Sequence, residues 1–248
     1  MDYNWDWMVF FKSTGIGNEI YLHWFLTGLG WTVAIALCGW IIALVLGTAL
    51  GVMRTLPYKS LRWIATTYVE VFRNIPLLVQ LFIWYYVIPD LLPKPIEEWF
   101  KLDLSPATSA FIIAILCLGL FTAARICEQV RTGIEALPQG QSSAGLALGF
   151  SLGQIYRLVL LPQAFRIILP PLTSEFLNIF KNSSVASLIG IMELLAQTKQ
   201  TVEFTANLFE AFTLATLIYF VLNTSLMFLM NWLERRVAIP GQQSGGAQ

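Results

Sequence analysis

The sequence is short of the groups with which proteins do covalent chemistry. It has one histidine, His23, and three cysteines, Cys38, Cys117 and Cys127, in 248 residues. A lone imidazole without clustered cysteines or carboxylates makes neither a zinc site nor a catalytic triad, so no metal is expected. The cysteines sit singly in apolar segments with no disulfide or metal spacing, which leaves core packing as their expected role. Charge is scarce too, at 12% of residues, and 15 bases against 15 acids give no basic surface for nucleic acid. No Gly-x-x-x-x-Gly-Lys phosphate loop occurs, so ATP and magnesium, if used, must be held by another chain. The opening residues MDYNWDWMVFF lack the basic flank of a cleaved signal, and the first apolar segment is expected to stay in place.

Apolar residues, in contrast, make up 56% of the chain, which places it among membrane proteins. About 20 apolar residues cross the ~30 Å hydrocarbon layer as a helix, because lipid cannot satisfy exposed backbone groups. Five such spans are expected, near 27–53, 64–90, 109–127, 164–190 and 207–233, and the fold class is all-α integral membrane. Sorting the bases puts Arg54, Lys59, Arg62, Arg125, Arg131, Arg157, Arg166, Arg235 and Arg236 on one side. Lys12, Lys94, Lys101 and Lys199 fall on the other. The positive-inside rule makes the first set cytoplasmic, with the N-terminus outside and the C-terminus inside. Residues 1–26, with Trp5, Trp7, Phe10 and Phe11, are expected as an extracytoplasmic strap at the membrane surface. A transmembrane domain is expected over 27–235, and the Gly/Gln/Ser-rich residues 236–248 are expected to be a disordered cytoplasmic tail. Gly47 and Gly51 form a G-x-x-x-G that lets another helix approach closely.

Residues 131–163 are too polar to span and too patterned for a linker. A short helix through Ala144, Leu146 and Leu148 should end near Gly149, since glycine accepts the left-handed conformation that closes a helix. Ser151 then caps a second helix with Ile155, Leu158 and Val159 on its apolar face. Pro162 is expected to stop or bend it. A helix–turn–helix of this kind suits the grip of a soluble partner, or else packs on the span ends as a self-contained loop.

This segment resembles the cytoplasmic signature of the permease subunits of ATP-binding-cassette importers: Glu-Ala-Ala, three residues, Gly, nine residues, Ile, any residue, Leu-Pro. The register falls on Ser143, Ala144 and Gly145, then Gly149, then Val159 and Leu161-Pro162. Ser143, Gly145 and Val159 depart from it. YVEVFRNIPLLVQLF (68–82) and FLNIFKNSSVASLIG (176–190) are similar to segments of the polar amino acid branch, and CLGLFTAARICEQVR looks most like its glutamate/aspartate permeases. The resemblance implies a type I importer permease with the Gly149 loop as coupling element. The partners it implies are two ATPase subunits, a second permease and an extracytoplasmic binding protein.

Ionisable groups at bilayer depth are costly, so each marks a candidate route for a polar solute. Glu70, Arg73 and Asn74 share one face of the second span, Gln80 extends that stripe, and Pro76 interrupts the helix. Glu175, Asn178 and Asn182 share a face of the fourth span, with Lys181 beside them. Glu70 is expected to pair with Arg73. Arg73 and Lys181 are expected to meet an acidic substrate's carboxylates, and Glu175 its ammonium group. The rivals are an ion-coupled secondary transporter driven through Glu70 and Glu175, and a membrane hydrolase; no inverted repeat supports the first and no catalytic constellation the second.

Overall fold

The structure, a computed structural model, describes residues 3–237, so the tail from 238 onward lies outside the described residues. Those residues form helices and no β-strand, with one isolated bridge between Ser13 and Ile20. The helices that matter are α1 (Tyr21–Thr55), α2 (Lys59–Asn74), α3 (Leu77–Leu91), α4 (Pro106–Glu135), α5 (Gly140–Ala147), α6 (Leu152–Ile189), α7 (Leu194–Thr205) and α8 (Leu208–Val237). α1, α4, α6 and α8 are each long and apolar enough to cross a bilayer, and α2 with α3 supplies a fifth candidate passage.

That fifth candidate passage falls on the span expected near 64–90 and is broken at Pro76, where the proline was expected to interrupt it. α2 and α3 meet at 103°. A proline crowds the residue before it out of the helical region, and Ile75 accordingly sits at φ −97°, ψ 129°, with Pro76 at φ −58°, ψ 140°. The stripe of Glu70, Arg73 and Asn74 therefore ends at the bend, and Gln80 does not extend it.

The chain forms two compact units: Met1–Trp40, Pro76–Gly119 and Asn178–Ser225 in one, and Ile41–Ile75, Leu120–Leu177 and Leu226–Gln248 in the other. In the first, Val9, Phe10, Tyr21, Trp24, Phe25, Leu194 and Ala211 form a buried cluster. The N-terminus of α7 lies against α1 at Gly28, where an added Cβ would fall 2.9 Å from the Leu194 Cα and 3.0 Å from the Glu193 carbonyl carbon. Glu193 is fully buried and caps α7 by accepting the Ala196 N–H at 2.9 Å. Its other oxygen accepts from Tyr219 Oη at 3.1 Å and lies 3.4 Å from Thr32 Oγ1.

In the second unit the G-x-x-x-G works within the chain. A Cβ at Gly47 would sit 2.8 Å from the Ala123 carbonyl oxygen, and one at Gly51 would sit 2.6 Å from Val130 Cβ, so both glycines seat α1 on α4. Gly133 does the same for α4 against α6 at Ile168. Leu50, Ala65, Val69, Ala124 and Cys127 fill the neighbouring core, and Tyr68 Oη donates to the Leu120 carbonyl at 2.7 Å. Cys117 and Cys127 are buried as expected, whereas Cys38 is exposed on α1.

Candidate functional site: a charged cavity and an exposed turn

The turn at Gly149 is built by local rules. Phe150 N–H bonds to the Gly145 carbonyl at 3.0 Å and Gly149 N–H to the Leu146 carbonyl at 2.9 Å. This paired closure requires a left-handed residue at Gly149, whose φ is +81°. Ser151 then caps α6 in a reciprocal box: its hydroxyl accepts the Gln154 N–H at 3.4 Å, and the Gln154 side chain accepts the Ser151 N–H at 2.8 Å. Gln141 and Gln163 exchange two amide hydrogen bonds, both 3.0 Å, which hold α5 to α6. Tyr156 Oη donates to Thr55 Oγ1 at 3.0 Å and ties the element to the end of α1.

Gly145, a departure from the expected signature, has a packing cause. A Cβ there would meet Ile155 Cγ1 at 2.9 Å, and Ile155 is fully buried. Ser143 and Ala144 are exposed, Val159 and Leu161 are half-buried and Pro162 is exposed.

Two expectations for this element need correction. Pro162 does not stop the helix: a π turn at Tyr156–Leu160 precedes it and the helix continues to Asn182. A wider turn just upstream relieves the proline ring and its missing donor. The inserted residue also rotates the helix face, so Leu158 is 59% exposed instead of lying on the buried side with Ile155. Leu146 and Leu148 are 58% and 76% exposed, and with Leu158 and Phe150 they leave an uncovered apolar knob around the turn.

The second feature is a cavity of about 320 Å³ lined by Arg73, Phe121, Arg125, Glu128, Gln129 and Glu175. Glu175 is only 7% exposed, and its carboxylate is held by Arg125 Nε at 2.7 Å. Glu128 serves three arginines: Arg54 and Arg131 bond to it closely, and Arg73 approaches to 4.0 Å. Arg131 also binds Glu135. Removing one member of such a group would leave its partner uncompensated. The Arg73 side chain is 51% exposed and that of Arg125 is 43% exposed, so both guanidiniums keep donors free toward the cavity.

Of the residues the sequence points to, the cavity brings together Arg73 and Glu175. Asn74 instead donates to Glu70 at 3.0 Å, so Glu70 is taken by the amide, and the carboxylate within reach of Arg73 is Glu128. Asn178, Lys181 and Asn182 are not among the lining residues; all three belong to the first compact unit. Arg125 and Glu128 are the residues that sequence reading missed. Their signal was present, since 125, 128, 131 and 135 carry alternating charge at helical spacing, and α4 runs eight residues past the expected end at 127.

Five candidate passages, a charged cavity and an exposed helix–turn–helix define a membrane permease subunit that works with soluble partners. Residues 39–239 match the family of binding-protein-dependent transport system inner membrane components, and the chain belongs to that family. The glutamate/aspartate import permease protein GltJ of Escherichia coli (strain K12) is 47% identical over 245 residues, covering 99% of this chain and 100% of its own length. The glutamate/aspartate import permease protein GltK of Escherichia coli O6:H1 is 32% identical over 237 residues, 95% of this chain and 100% of its own. A chain from the crystal structure of an amino acid ABC transporter with histidines matches with a TM-score of 0.73 and 30% identity, over 87% of this chain and 95% of that one. The chain is thus a multi-pass inner-membrane component of an importer, not an enzyme, and ATPase and substrate-binding partners complete the machine. The ion-coupled alternative falls with that membership. Among the described residues no cluster of side chains suits a metal ion.

Proposed function

We propose that this permease imports acidic amino acids, glutamate or aspartate, and that the substrate passes the cavity between Arg73 and Arg125. Two half-exposed guanidiniums facing one small cavity carry the reading, since each can grip a carboxylate through two parallel hydrogen bonds. The relatives named for glutamate and aspartate support it. Glu175, already engaged by Arg125, would turn to the substrate's ammonium group when a carboxylate displaces it. On the same span Asn178, Lys181 and Asn182, and on α2 Asn74, are proposed as further polar positions the substrate meets.

The partners are two ATPase subunits, a second permease, homologous or identical, and an extracytoplasmic binding protein. The Gly149 turn, with Ser143, Ala144, Gly145, Val159, Leu161 and Pro162, is the element the ATPases grip, and its exposed knob of Leu146, Leu148 and Leu158 supports that role. Closing the ATPase pair would draw two such turns together and switch the helices between outward-open and inward-open states. Charge supports an N-out, C-in orientation. The compact unit that holds the Gly149 turn has all nine arginines and Lys59 against five glutamates, while the other has five lysines against ten acids.

Uptake into vesicles by the full complex tests the site. Arg73→Gln and Arg125→Gln should each lower glutamate uptake roughly 10- to 100-fold, as expected for losing a charge-assisted bond of about 1.5–3 kcal/mol. Unchanged glutamate uptake in both variants, with the complex assembled, would refute the assignment.

A further inference from the structure

Residues 3–12 carry large apolar side chains on both faces. Val9 and Phe10 are 2% and 5% exposed and anchor the segment on α1 and α8. Trp5, Trp7, Met8 and Phe11 point the other way and are between 47% and 65% exposed. A surface in water gains nothing from four such side chains within seven residues.

The outward groups are ordered against one another. The rings of Trp5 and Trp7 stack in parallel, with centroids 5.4 Å apart and planes within 2°. Trp5 meets the Phe209 ring at 6.1 Å and Tyr3 meets it edge-on at 4.8 Å. Phe209 lies in the first turn of α8, the span whose apolar window is only 6% buried within the chain. The tryptophan pair is therefore continuous with a span surface that the chain itself leaves uncovered.

The segment is also tethered. Glu210, the residue after Phe209, is fully buried, accepts the Asp6 N–H at 2.7 Å and accepts a hydrogen bond from Tyr3 Oη. Lys12 pairs with Asp6, so the charges of the segment cancel. Tryptophan rings, with an apolar body and one polar N–H, favour the boundary between headgroups and acyl chains.

We infer that residues 3–12 form a docking surface for the headgroup–acyl boundary of the bilayer, clamped to the start of α8 by Glu210, with the Trp5–Trp7 pair inserted. Such segments lie about 5–10 Å into the boundary. Because the charges cancel, the contact is made by the apolar rings and needs no anionic lipid. It rests on the fold alone and not on the acidic-substrate reading.

The test uses the full complex in phosphatidylcholine vesicles, with and without phosphatidylglycerol, containing lipids brominated near the carbonyl or near the methyl end of the acyl chain. Wild-type emission minus that of Trp5→Phe/Trp7→Phe isolates two of the nine tryptophans. The difference signal should be quenched strongly by the shallow bromine, weakly by the deep one, and equally in both lipid mixtures. Phenylalanine preserves the apolar packing at these exposed positions, and a matching gel-filtration profile confirms assembly. A signal quenched by aqueous iodide and not by bromolipid overturns the inference. So does a signal shielded from iodide only when the binding protein is added, which would make this a protein contact. Quenching that appears only with phosphatidylglycerol also overturns it, since charge would then be the cause.

Discussion

Gly149 offers a substitution series in which backbone and contact effects separate. Its φ of +81° is left-handed, and a Cβ placed on it meets no atom within 4 Å. No steric clash inside the chain can therefore explain a loss of function there; only the conformational cost remains. For an ordinary L-residue that cost is roughly 1–2 kcal/mol, enough to reduce the population of the closed turn by about 5- to 30-fold. Asparagine visits this region more readily than alanine, and a β-branched residue least of all. Without the turn, the Phe150-to-Gly145 and Gly149-to-Leu146 bonds are lost and the exposed Leu146 and Leu148 change direction. Substrate-stimulated ATPase activity of the reconstituted complex should then fall in the order Gly149, Asn, Ala, Val, with valine lowest by about tenfold or more. Co-purification of the ATPase should weaken in the same order if docking reads the same turn, as proposed. Equal activity across the series, or valine above asparagine, would show that the left-handed turn is not what the partner reads.

Two glycines on α1 should respond to alanine with opposite signs. Gly28→Ala drives a Cβ to 2.9 Å from the Leu194 Cα, and should destabilise by about 1–3 kcal/mol; Gly30→Ala meets nothing within 4 Å and should stabilise by about 0.5–1 kcal/mol. Thermal melting of the solubilised complex checks both, and a drop for Gly30→Ala would contradict the packing argument. Glu193 should make stability depend on pH. Burial raises its carboxyl above the usual carboxylate range, against the downward pull of bonds from Leu195 and Ala196 N–H, Tyr219 and Thr32. A carboxyl raised in the folded state binds more protons there than in the unfolded one, so its contribution is full below the ordinary value near 4.5 and is lost as pH rises through the folded one. Wild type should accordingly lose melting temperature relative to Glu193→Gln as pH is raised from about 4, and parallel curves would count against a buried, raised carboxyl.

Where a single residue type dictates the backbone, the sequence was readable. Glycine at 149, serine at 151 and proline at 76 mark a left-handed turn, a helix start and a break, and the structure has each. The angle of 103° at the break was not readable, because Pro76 forbids the straight helix without choosing among bent ones. Pro162 misled for the converse reason. A proline stops a regular helix, but a π turn one residue upstream changes the regular pattern, and no single residue announces such a turn.

The cavity shows why its charged residues were harder to read than its spans. Hydropathy ends the span two residues past Arg125 and treats Glu128, Arg131 and Glu135 as the start of a loop, because each alone is costly in lipid. Along one helix they sit three or four residues apart and neutralise one another or Glu175, Arg54 and Arg73, so α4 continues through them. A charged run at helical spacing is then better read as a helix whose counter-ions come from other segments. Arg73 and Arg125 are the two guanidiniums in this group that line the cavity. Of Glu128's three partners, Arg73 is the most distant, at 4.0 Å. On the proposed route it is the one that an incoming carboxylate would capture at least cost, while Arg54 and Arg131 keep Glu128 compensated. On the same proposal Arg125 would be the slower partner, since its release would leave Glu175 buried and unpaired until the substrate's ammonium group arrived. A monocarboxylate lacking that ammonium group should therefore be bound by Arg73 and rejected at Arg125.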